Sequence, residues 1–219
     1  MKKGSFSKFS SRVIGELVLI IVGVTVALWL ENELENLKDR NIEKDYIESF
    51  DVDWHADIKE LEQVIAFNKS LKSKTETLFS RIQSNTISDE DLPSELFIIM
   101  NYRYFTPQDF TLQSLKESGE FRLIQDREIR RKILRLQRQY RFINEAQDNY
   151  QHALDNYIVP LINENIDLAH GRLITVNFKN DHRLSNLVMY TINDVESRIA
   201  LYQHSLDFLK TLTSKTTTK

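Results

Sequence analysis

In the segment DVDWHAD, three carboxylates and an imidazole (Asp51, Asp53, Asp57 and His55) fall within seven residues. On a helix Asp53 and Asp57 stand one turn apart and could share a cation. The glycine of a calcium loop and the His-Glu-x-x-His pattern of a zinc helix are both missing, so the cluster is expected to be a solvated acidic face and no metal is assigned. The other histidines, His152, His170, His182 and His204, have no partner at metal-ligand spacing. No Gly-rich phosphate loop and no Gly-x-Ser-x-Gly elbow occurs. The chain has no cysteine, which excludes thiol nucleophiles, thiol metal sites and disulfides. No catalytic residue and no cofactor is assigned, and the 32 acidic residues single out no acid/base pair.

Cationic chemistry is concentrated elsewhere. Residues 126–142 hold Arg127, Arg130, Arg131, Lys132, Arg135, Arg138 and Arg141 against only Asp126 and Glu128. Arg127, Arg131, Arg135 and Arg138 fall on one helical face, which could bind phosphates, anionic lipid or an acidic partner. No aromatic platform interleaves them, so nucleic acid is disfavoured as a partner. Residues 31–62 carry twelve acidic and four basic side chains, net −8. As a neighbour in one bundle this segment would pair with the arginines as a packing and register device, each surface pair contributing only ~0.2–1 kcal/mol. The run YRYFTPQDF (Tyr102, Tyr104, Phe105, Phe110) could wall a small pocket, but is expected to cover the end of the bundle.

The elements that position these groups begin with an apolar run. Val13 to Leu30 is 18 residues with Glu16 the one charge and Thr25 the one other polar side chain. As a helix it spans roughly 27 Å, close to the ~30 Å hydrocarbon core of a bilayer. Its twelve Val, Ile and Leu residues contribute roughly −4 to −7 kcal/mol toward insertion, which outweighs up to about +3 kcal/mol for a carboxylate at mid-bilayer. No polar face exists, as a soluble core helix would require. The small residues of Thr25-Val26-Ala27 suit a signal cleavage site, yet the run continues past them to Leu30. The expectation is a permanent single-pass anchor with Trp29 at the interface. Glu16, shallow in the span, is expected to snorkel and pair with Arg12. Gly15, Gly23 and Ala27 share a face, and Gly23-x-x-x-Ala27 suits close helix–helix approach, a basis for a homo-oligomer through the span.

Lys2, Lys3, Lys8, Arg12 and the terminal amine precede the span, and Lys38, Arg40 and Lys44 follow it among six carboxylates. This bias places the amino terminus in the cytoplasm and residues 31–219 outside. Low glycine and proline content (5 and 3 residues) argues against a sheet with many turns. Apolar residues instead recur at helical spacing: Ile47, Phe50, Trp54, Ile58, Leu61, Ile65, Leu71, Leu78 and Ile82; then Ile129, Ile133, Leu136, Tyr140, Ile143, Tyr150, Leu154, Tyr157 and Leu161; then Leu184, Val188, Ile192, Val195, Ile199, Tyr202, Leu206 and Leu209. Residues 84–95 read as a loop. Thr106-Pro107-Gln108-Asp109 reads as a helix start with Thr106 as N-cap, ended by Gly119. Asp126 caps the next helix, Pro160 kinks or ends it, and 170–180 is the one extended-looking stretch.

The segments GELVLIIVGVTVALWLENELEN (15–36) and FTLQSLKESGEFRLIQDREIRRKI (110–133) resemble a family of bacterial single-pass membrane proteins of unknown function. The shared features are Gly15, Glu16, Gly23, Ala27, Asn32, Glu35 and the Ser-Leu-Lys-x-Ser-Gly pattern; Trp29-Leu30-Glu31 departs from the polar amides common at the family's exit. The resemblance implies an anchor and a helical domain and brings no activity. The expected organisation is a basic cytoplasmic terminus (1–12), a transmembrane helix (13–30), an all-α antiparallel bundle with long coiled-coil-like helices (31–213) and an unstructured tail (214–219). The expected role is a membrane-anchored scaffold, interaction or sensory protein of the bacterial inner membrane, partnered by the bilayer and an envelope protein. The alternatives are an anchored envelope enzyme and a cytoplasmic-facing module that binds an anionic partner through 127–141.

Overall fold

A computed structural model describes the backbone of residues 5–216 and the side chains of 15–213. The basic terminus Lys2, Lys3, Lys8 and Arg12, and so the expected Glu16–Arg12 pair, lies outside the described side chains. The fold is all-α. Helix α1 runs unbroken from Ser5 to Gln83, joining the apolar run to the bundle without a turn. Nothing in its sequence stops it: no glycine follows Gly23 and no proline precedes Pro93. Residues 15–30 are exposed on every side, and core packing begins around Tyr46 and Phe50. From Glu31 to Ile42 the helix is a stalk of about 18 Å.

The chain then turns through short elements: α2 (Leu92–Leu96), a 3₁₀ turn, an extended strap over residues 101–109, α3 (Phe110–Glu117) and a second 3₁₀ turn. Here the structure corrects two expectations. The loop 84–95 is already helical from Leu92, with Pro93 in the first turn, where its missing N–H is no loss. Thr106 caps nothing, because α3 starts four residues later and the backbone of 106–108 is held extended by carboxylates of α1. Gly119 does end α3, in the left-handed conformation at φ 71° that a side chain would strain.

Helix α4 (Arg127–Ala153) opens on Asp126, whose carboxylate accepts from the amides of Glu128 and Ile129 at 2.7 and 3.2 Å. It begins beside Glu43, which accepts from the amides of Gln125 and Asp126, so it runs in the same direction as α1. The strap and α3 make the return trip between them. Ahead of Pro160, residues Leu154–Ile158 form a π-helical turn leading into α5 (Val159–Asn165). The wider turn accommodates the missing amide and rotates the face by one residue. Tyr157, expected in the stripe, is therefore 65 % exposed. A hairpin of two two-residue strands, β1 (Ile166–Asp167) and β2 (Arg172–Leu173), precedes α6 (His182–Thr216). Helix α6 packs antiparallel along α1, with contacts from Gln83–Ser185 through Lys72–Glu196 to Lys210–Glu62. Its helix continues through Thr216, where a tail without structure was expected from 214; residues 217–219 lie outside the described ones.

The apolar core is in two parts. One, nearer the stalk, gathers Phe50, Trp54, Leu61, Leu136, Ile143 and Leu206; the other, at the far end, gathers Leu78, Ile99, Leu154, Ile162, Phe178 and Val188. Between them lies a buried polar belt: Asn68, Thr75, Gln147 and Arg198, with Asp194 beside Arg198.

Candidate functional site

Residues assigned to the anchor occupy one uncovered surface. Gly15, Glu16, Gly23, Ala27 and Trp29 are all exposed, and a methyl placed on Gly15 or Gly23 would meet nothing. Thr25 donates its hydroxyl to the Ile21 carbonyl at 2.8 Å, so the helix satisfies that polar group itself. Among the described residues this is the one helix long and apolar enough to cross a membrane. None of its apolar segment, residues 15–30, contributes to the core.

The DVDWHAD cluster is not a solvated face. Asp57 is 0 % exposed; its Oδ1 accepts from the Gln108 amide at 2.8 Å and its Oδ2 from the Tyr140 hydroxyl at 2.5 Å. Asp53 accepts from the Thr111 amide and Glu60 from that of Thr106, both at 3.3 Å. Carboxylates at 57 and 60 thus accept from amides of a strap that has no sheet to join, and Asp53 accepts from an amide in the first turn of α3. His55 points away, bonding the Asp51 carbonyl at 2.7 Å. Burial pushes the Asp57 carboxyl up to about 7, against the pull of the Tyr140 and Gln108 bonds. The Tyr140 hydroxyl is raised by burial and by the Asp57 charge.

The aromatic run lies along the flank of the bundle and does not cover its end. Phe105 is buried, edge-on to Tyr140 with centroids 5.3 Å apart. Its amide donates to Gln147 Oε1 at 2.9 Å, and its carbonyl accepts from Gln147 Nε2 at 3.2 Å. Gln147 Oε1 also accepts from Tyr202 at 2.8 Å. The Tyr102 and Tyr104 rings meet tilted by 31° with centroids 4.6 Å apart, whereas Phe110 is 75 % exposed.

Sequence reasoning missed Arg198. It is 1 % exposed, with Nε donating to Asp194 Oδ2 at 2.6 Å. Its two Nη atoms are buried without a hydrogen-bond acceptor, and the guanidinium lies 4.4 Å from the Tyr150 ring centroid and 5.9 Å from that of Tyr104. The rings supply the electrostatic partner that acceptors do not. Burial raises the Asp194 carboxyl while Arg198 opposes the rise. The signal was present: Asp57 and Arg198 both sit within the apolar stripes of their helices, three residues after Trp54 and after Val195.

Arg127, Arg131, Arg135 and Arg138 are all exposed on α4, as their spacing predicts. The expected pairing with acidic residues of α1 is not formed: among the described residues no ion pair joins the two. Core side chains of both helices lie between them there, and Tyr140 reaches across to Asp57. Arg131 pairs with Glu128 on its own helix and Arg127 faces solvent. Arg135 lies over the Phe208 ring at 4.6 Å and Arg138 over Phe142 at 5.4 Å. The last two line a cavity of about 220 Å³ between α4 and α6, shared with Gln139, Phe142, His204 and Ser205.

Comparison of the chain with protein-family models, curated proteins and solved structures gives no match. Function therefore rests on the geometry.

Proposed function

We propose that the chain is a single-pass protein of a bacterial inner membrane, with its amino terminus in the cytoplasm and its bundle outside, serving as an anchored scaffold or sensory module. The observation that carries this reading is the continuity of α1 from the exposed apolar segment into the core. Sixteen exposed residues dominated by Val, Ile and Leu have no counterpart surface in the fold, and a bilayer would cover them. Because the same helix supplies one wall of both core clusters, a tilt or shift of the bundle is transmitted to the span without a hinge. The basic amino terminus supports the orientation. An enzyme is less well supported: Asp57, whose shifted carboxyl would suit acid–base work, is fully buried beneath the strap and does not line the cavity between α4 and α6.

The chain has no cysteine, so Ser197→Cys on the exposed face of α6 creates a single thiol. In intact cells a membrane-impermeant maleimide is expected to label it, with no further gain on lysis. Labelling that appears only after lysis would place the bundle in the cytoplasm and overturn the orientation.

A further inference from the structure

The cavity between α4 and α6 has features that its surroundings do not account for. Arg135 and Arg138 are fixed over aromatic rings, and among the described residues neither has a carboxylate partner, although Arg131 and Arg141 on the same helix do. Both guanidinium groups are exposed, so their N–H groups are open to an incoming anion. Ser205, on the facing helix α6, is 1 % exposed and also lines the cavity. Gln139 is 9 % exposed, and its Oε1 is buried without a donor. A buried acceptor of this kind requires an explanation. His204 completes the rim.

We propose that this cavity binds a soluble phosphomonoester. The two guanidinium groups, His204 and the Ser205 hydroxyl meet the phosphoryl oxygens, and a hydroxyl of the ligand donates to Gln139 Oε1. At about 220 Å³ the cavity is smaller than the ~300–1,000 Å³ of sites for drug-sized ligands, so it suits a phosphoryl group on a small ester. Its separation from the span along α1 favours a soluble source over a lipid headgroup, a step that rests on the span reading. Tyr140, two residues after Arg138, bonds Asp57, which is 27 residues or about 40 Å along α1 from Leu30.

The test uses the full chain in phosphatidylcholine nanodiscs, inorganic phosphate as the probe, and thermal unfolding against chloride at matched ionic strength. Wild type and Arg127→Gln, whose arginine lies outside the cavity, are expected to gain about 5–10 °C at a ~100-fold excess of phosphate over Kd. Arg138→Gln removes only an exposed guanidinium; it is expected to melt like wild type in chloride and to gain nothing from phosphate. His204→Gln, also exposed, serves as the second variant if Arg138→Gln melts low. No gain in wild type, or an equal gain in every chain as general salting-out would give, overturns the site. Stabilisation by phosphatidic acid in the nanodisc, with none by free phosphate, assigns the ligand to the bilayer and overturns the soluble source. Neither outcome bears on the maleimide result, so the two readings fail separately.

Discussion

Arg198→Ala is expected to destabilise the protein by about 3–5 kcal/mol, a loss of roughly 10 °C or more in Tm. The guanidinium is the plug of the polar belt: it pairs with Asp194, stacks on Tyr150 and faces Tyr104. Removing it leaves a carboxylate that burial already raises, together with a cavity beside Tyr150 and Tyr104. The size of that loss should not be mistaken for the worth of the pair. The double variant Arg198→Met with Asp194→Leu fills similar volume without charge, and is expected to recover most of the loss. Urea unfolding of the full chain in detergent micelles measures both. A cost below ~1 kcal/mol for Arg198→Ala would show that water reaches the guanidinium and that the belt is not closed.

The second large effect is a pH dependence with an unusual sign. Folded Asp57 keeps its proton up to pH about 7, whereas the unfolded side chain releases it near 3.9. Between these values the folded state holds more protons, so stability falls as pH rises and the fall is complete above about 7. From pH 5 to 8 the expected loss is about 2–3 kcal/mol, at 1.36 kcal/mol per unit over the part of the window still below 7. The groups facing the carboxyl are Tyr140 and the Gln108 amide, with Asp53 and Glu60 adding repulsion. Asp167 and Asp181, whose carboxyls are held below the usual range by His170, Arg172 and Arg183, act in the opposite direction but only at lower pH. Asp57→Asn is expected to flatten the profile. Stability that rises from pH 5 to 8, or an unchanged slope in Asp57→Asn, would contradict this account.

Much of the architecture was legible because helical periodicity reports burial directly. Phe50, Trp54, Leu61, Ile133, Leu136, Val188 and Leu206 are buried as their spacing predicts. Single-residue signals with local physics, Gly119 at positive φ and Asp126 as a cap, also held. What spacing could not show was long-range compensation. Tyr157 left the stripe because a π turn absorbed Pro160 and shifted the phase. The acidity of α1 looked like a complement to the arginines of α4, since charge counts carry no information about which faces meet. Its carboxylates at 53, 57 and 60 instead hold amides of the strap and of the first turn of α3, about fifty residues away, a pairing that no local pattern encodes. The arginine face was visible. The cavity was not, because three of its seven lining residues come from α6.

The central claim is that anchor and bundle are one stiff helical piece. The direct test is a double electron–electron resonance distance in lipid nanodiscs, between spin labels on Leu34→Cys and Ser70→Cys, both exposed and otherwise the chain's only thiols. The sites are 36 residues apart on α1, so the account predicts a single narrow distribution centred at about 54 Å. A broad distribution centred well below that would show a hinge between stalk and core, and the relay through α1 would be wrong.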